Sequence, residues 1–145
     1  MVALAALVAS ACLSAPVSYT APPDSRAPRI PWIHAGPVVG YLFYYGADGP
    51  WKTQADRVLI STQGQASGGG ATKILWRVRG GSKAVRIVGK RLDAAGSFRQ
   101  LFPVTQTGGG AFFPSIVNVP SSGCWRVSVS SGNHVGRFAF WAVEP

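Results

Sequence analysis

From Val38 onward the chain alternates between short apolar runs and clusters of Gly, Pro, Ser and Asn, the pattern of many strands joined by tight turns. Eight segments read as strands: Val38–Tyr45, Val58–Thr62, Lys73–Arg79, Val85–Leu92, Phe98–Val104, Ser115–Val119, Trp125–Ser130 and Gly136–Val143. A period of two is clearest in the third and seventh. Ile74, Trp76 and Val78 fall on one face of the third, with Lys73, Arg77 and Arg79 on the other. In the seventh, Trp125, Val127 and Val129 alternate with Arg126, Ser128 and Ser130. The apolar sets are core candidates. Gly80-Gly81-Ser82 and Ser131-Gly132-Asn133 are short enough to turn antiparallel hairpins. No segment sustains helical spacing.

A single sheet would leave one face of these aromatic-rich strands in water. The expectation is therefore an all-β, two-sheet antiparallel sandwich of about seven to eight strands over residues 38–145. A body of that size buries enough apolar surface to fold without a metal or a disulfide framework, and the chain has only two cysteines.

The head of the chain reads differently. Val2–Val8 is an uncharged apolar run, and Ala9-Ser10-Ala11 places small residues where a signal peptidase cuts, so 1–14 is expected to be an export signal. Val8-Ala9-Ser10-Ala11-Cys12 resembles the lipobox of bacterial lipoproteins, which implies a mature chain starting at Cys12 with that cysteine as lipid acceptor. It departs from the lipobox in having Ala9 where Leu is usual, and no Lys or Arg precedes the apolar run. The run is too short to span a bilayer. Residues 15–37, with prolines at 16, 22, 23, 28, 31 and 37, read as a semi-stiff linker.

Residues Phe113 to Val129, through Asn118-Val119-Pro120-Ser121-Ser122-Gly123-Cys124-Trp125, resemble the E strand, corner and F strand of bacterial immunoglobulin-like domains from secreted lipoproteins. In those domains a Gly stands two residues before an aromatic that plugs one end of the core, as Gly123 and Trp125 do here. The resemblance covers the last third of the chain and implies an immunoglobulin-like sandwich. It implies no activity. Ser121-Ser122-Gly123-Cys124-Trp125-Arg126 is also similar to the Ser-His-Gly-Cys-x-Arg nucleophile motif of L,D-transpeptidases, with Ser122 in the histidine's place. That chemistry needs a base to form the thiolate at Cys124, and His134 is the histidine nearest in sequence. The competing reading makes Cys124 a small apolar plug at a strand start.

Charge then narrows the function. The chain carries 14 Lys and Arg against five acids, a net charge of +9, with every basic residue at Arg26 or later. Such a domain attracts anionic partners. Export favours envelope polymers, lipid headgroups or another envelope protein over nucleic acid. Two binding surfaces are candidates. One is a basic stripe of Lys73, Arg77 and Arg79 with Arg86 and Lys90 across the Gly80–Ser82 turn. The other is aromatic, around Trp32, Tyr41, Tyr45 and Trp51. Scattered His, Cys and acidic residues give no metal-ligand spacing and no paired catalytic carboxylates, and no cofactor is expected. Ser67-Gly68-Gly69-Gly70 and Thr107-Gly108-Gly109-Gly110 lack the ending of a phosphate-binding loop. The reading that results is a non-catalytic extracytoplasmic binding or accessory domain. Its alternatives are a structural spacer and, last, a transpeptidase-like enzyme.

Overall fold

The computed structural model of the chain describes residue 12 and residues 16–21, 30–44, 58–64, 72–103 and 111–144. In these segments alternation between oily and polar side chains produces nine strands: β1 (Trp32–Ala35), β2 (Val38–Leu42), β3 (Leu59–Ser61), β4 (Lys73–Val78), β5 (Val85–Arg91), β6 (Ser97–Phe102), β7 (Ala111–Ile116), β8 (Gly123–Ser131) and β9 (His134–Val143). They form two sheets, one ordered β1-β2-β4-β7 and the other β3-β9-β8-β5-β6. The four-stranded sheet curls like half a barrel. The protein is thus all-β and two-layered.

The inner faces follow the period-two pattern. Ile74, Trp76 and Val78 of β4 and Trp125, Val127 and Val129 of β8 are fully buried, in one cluster with Val38, Leu42, Val85, Ile87, Phe113, Phe138 and Phe140. One aromatic contact bridges the layers, Trp76 meeting Phe138 at 5.7 Å between centroids, while within the five-stranded sheet Phe98 meets Trp125 edge-on at 5.4 Å. Trp125 is fully buried. Its indole N–H donates to the Ser121 carbonyl at 3.0 Å. The buried Trp76 indole donates to the Ser115 hydroxyl at 3.0 Å, which in turn donates to the Ile74 carbonyl at 3.0 Å. Both polar handles are satisfied.

Several expectations require correction. Pairing is not wholly antiparallel, because β3 runs parallel to β9 in the register Leu59 to Trp141. The first strand begins at Trp32, inside the stretch expected to be linker, and Ile33 is buried there. A two-residue turn at Gly36-Pro37 joins it to β2. Gly36 adopts φ +54°, as the first central residue of a II′ turn does. The turn at Ser131-Gly132-Asn133 does close a hairpin, with Ser131 opposite His134. Gly80-Gly81-Ser82 does not: β4 and β5 belong to different sheets, so this connection crosses between layers. Finally, β7 starts at Ala111 and runs through Pro114. It is an edge strand, where a missing N–H need break no ladder bond.

Candidate functional site

Strand alternation and register together assemble the outer face of the five-stranded sheet. On β5 the buried positions Val85, Ile87 and Gly89 leave Arg86, Val88 and Lys90 pointing outward. Register then sets Lys90 opposite Arg126 on β8, Arg86 opposite Ser130 on β8 and Leu101 on β6, and Val88 opposite Arg99 on β6. One strand further, Ser128 faces Arg137 on β9. Five cations, Arg86, Lys90, Arg99, Arg126 and Arg137, thus surround a small floor of Val88 and Ser128, and all five are exposed. Positions two apart along a strand are about 7 Å apart and neighbouring strands about 4.8 Å, so the group spans roughly 14 Å each way.

No acid offsets this face among the described residues. The described acids are Asp93 and Glu144, at the β5–β6 loop and after β9. Asp93 accepts from Arg91 Nε at 2.7 Å. The Arg91 guanidinium holds its carboxyl below the ordinary carboxylate range, partial burial opposes that shift, and the Cys124 backbone N–H adds to it. Arg91 also donates to the Ser121 hydroxyl at 3.3 Å. These bonds tie the loop to the start of β8 and leave the five outward cations uncompensated. Like charges opposite one another across a ladder, such as Lys90 and Arg126, repel until an anion lies between them.

At one end the face deepens into a recess of about 280 Å³ lined by Lys83, Ala84, Arg86, Leu101, Ser130 and Gly132. Lys83 is held there by its backbone: its N–H donates to the Ser131 hydroxyl at 3.1 Å, and that hydroxyl donates back to its carbonyl at 2.7 Å.

The predicted basic stripe is split by this architecture. Arg86 and Lys90 belong to the basic face. Lys73, Arg77 and Arg79 lie on the other sheet, because the chain changes layer between Val78 and Val85. There Lys73 Nζ stands 5.4 Å over the Phe43 ring and Arg77 Cζ 5.8 Å over Phe112, so both cations cover aromatic surface. Arg99, Arg126 and Arg137 were the missing members. Alternation already points Arg126 outward; the non-local pairings of β8 with β5 and β9 are what local pattern does not encode.

Of the aromatic candidates, Tyr41 is fully buried, so it is no exposed docking ring. Tyr45, Trp51 and the two triple-glycine loops lie outside the described residues. Trp32 is half-buried on β1, its indole N–H donating to the Thr20 carbonyl at 3.2 Å. Its ring is tilted against His34 at 5.5 Å.

Both cysteines are committed to a disulfide, Cys12 to Cys124, bridging 112 residues with Cα atoms 5.8 Å apart. This corrects two expectations. The Cys12 sulfur that was read as a lipid acceptor is bonded to another sulfur. The Cys124 nucleophile reading loses its thiol, and it loses its base too: Cys124 pairs with Trp141 at one end of the β8–β9 hairpin and His134 with Ser131 at the other. Among the described residues no cluster of His, Cys, Asp and Glu could hold a metal, and no helix is long and apolar enough to cross a membrane.

Comparison with protein-family models, with curated proteins and with solved structures found no match to this chain. The reading of function therefore rests on its own residues.

Proposed function

We propose that this chain is a non-catalytic, exported binding domain that holds an extended anionic polymer of the cell envelope on the outer face of its five-stranded sheet. One observation carries the reading: five exposed cations on one face with no carboxylate beside them among the described residues. A polymer is favoured over a bilayer. Interfacial binding needs a broad apolar or aromatic surface, and Leu101 is the only large exposed hydrophobe described on this face.

Two further features support parts of the proposal. The disulfide fits an oxidising, extracytoplasmic compartment, and cleavage between Ala11 and Cys12 leaves Cys12 in the mature chain to form it. The strand order fits an immunoglobulin-like sandwich with β2, β4 and β7 as strands A, B and E, and with β5, β6, β8 and β9 as C, C′, F and G. The staple then joins strand F to the N-terminal segment, where antibody domains join F to B.

The test is titration of the disulfide-bonded chain with long-chain polyphosphate at about 0.01 M and about 0.15 M salt, between which the screening length falls from roughly 30 Å to roughly 8 Å. Binding is expected at low salt and much weaker at high salt. Replacing Arg86, Lys90, Arg99 and Arg126 with Gln is expected to lower low-salt affinity at least about tenfold. A domain that acts only as a spacer binds none of the polymer. Vesicles of acidic lipid bound in preference to polyphosphate would make the face a membrane surface instead.

A further inference from the structure

On the opposite side of the molecule, the outer face of the four-stranded sheet carries a second recess, of about 190 Å³, lined by Trp32, His34, Gly36, Val39 and Arg79. We infer that this recess binds a carboxylate-bearing sugar ring, a uronate, with the ring against Trp32 and the carboxylate on Arg79. The inference is independent of the basic face, with which the recess shares no residue.

Three elements converge to build it. Register sets Trp32 opposite Tyr41 and His34 opposite Val39, so the two aromatic side chains and Val39 share the outward face of β1 and β2. Arg79 follows β4, and its backbone N–H donates to the Pro37 carbonyl at 2.9 Å, which fixes it beside the β1–β2 turn. Gly36, at φ +54°, keeps the turn free of a side chain at the recess wall. The floor is apolar, with Val39 buried, while His34 and Arg79 are exposed at the rim.

The chemistry of the lining selects the ligand. The Arg79 guanidinium enters no ion pair among the described residues, and its planar fork matches a carboxylate. The indole offers an apolar face to a C–H surface, and its N–H is already used by Thr20. His34, with one ring nitrogen donating and the other accepting when neutral, suits a hydroxyl. Size and depth separate a sugar from an aromatic acid. Enclosed ligand pockets of about 300–1,000 Å³ bury most of their ligand, whereas this recess is smaller and open, so much of a bound ring stays in water. A hydroxyl-rich ring tolerates that; an aryl ring gains little from it.

The experiment follows backbone and indole N–H resonances of the full disulfide-bonded chain during titration with sodium glucuronate, with glucose and benzoate as comparators and a tetrameric uronate in parallel. Glucuronate is expected to shift Trp32, Gly36, Val39 and Arg79 selectively. Arg79→Gln is expected to weaken it at least about tenfold, the loss of one charge-assisted pair, and Lys73→Gln, on the same sheet but outside the recess, to leave it unchanged. His34→Ala, at an exposed position that does not threaten the fold, is expected to weaken both sugars without affecting benzoate. Tighter binding of the tetramer through the same resonances identifies a polysaccharide segment as the natural source, and equal binding identifies the free sugar. The inference is overturned if glucuronate leaves these resonances unmoved, if Arg79→Gln binds it as well as the parent, or if glucose or benzoate binds more tightly.

Discussion

Gly136 shows how little space separates the two layers at one end of the molecule. It lies on β9 opposite Val129, and a Cβ added there would stand 2.5 Å from the carbonyl oxygen of Ala35 and 2.6 Å from Val38 Cβ. The nearer atom is backbone in the β1–β2 turn, which cannot rotate away as a side chain would. Gly136→Ala therefore has to push the turn off the sheet, and it is expected to lower stability by about 1–3 kcal/mol, the usual range for overpacking. A urea midpoint that falls with an unchanged m-value is the signature, and an unmoved midpoint would show that the turn yields freely. Gly40 is comparably tight, but there the obstacle is the ring of its cross-strand partner Trp76 at 2.6 Å, within the same sheet. In sequence these glycines look like any others in a Gly-rich chain. Their necessity comes from residues distant along the chain, in the opposing layer for Gly136 and on the paired strand for Gly40.

At the scale of elements, local chemistry was a good guide wherever neighbours in sequence are neighbours in space. The inward sets of β4 and β8 and the β8–β9 hairpin follow from alternation and from a Gly at the turn. Prolines misled. Pro31 and Pro37 bracket a four-residue strand that reads as part of a linker, and Pro114 reads as a strand boundary although an edge strand accommodates it. The staple was equally hidden, since two cysteines 112 residues apart carry no sign of pairing and Cys12 sits where a lipobox places its acceptor. Its consequence for stability is testable. Closing so long a loop removes entropy from the unfolded chain, and the chain-entropy account gives roughly 4–5 kcal/mol, with about 2–4 typical of measured bridges. The pair Cys12→Ser and Cys124→Ala is expected to lower the denaturation midpoint accordingly, and reductant to lower the midpoint of the parent but not of the variant. A parent insensitive to reductant would mean that the N-terminal segment is held without its covalent link.

The whole molecule decides where charge collects, and here sequence alone was least informative. A Gly-Gly-Ser connection is compatible with a hairpin or with a change of layer, and only the second is realised; it sends Lys73, Arg77 and Arg79 to one side and Arg86 and Lys90 to the other. Arg99, Arg126 and Arg137 then join the latter pair through three different strand pairings, so the basic face belongs to the sheet and to no single segment. This separates two physical accounts of polyanion binding. If net charge governs, any two cations are equivalent; if the face governs, only those on it count, because attraction between exposed charges fades beyond a screening length of about 10 Å at 0.1 M salt. Two variants with the same formal charge distinguish them. Replacing Arg86 and Arg126 with Gln takes the chain from +9 to +7, and replacing Lys73 and Arg77 with Gln does the same. With thermal midpoints measured to establish that both variants fold, the first is expected to bind polyphosphate at least about tenfold more weakly than the second at 0.1 M salt, and the second to bind within about twofold of the parent. Equal losses in the two would assign the interaction to the overall field and remove the five-stranded sheet as its site.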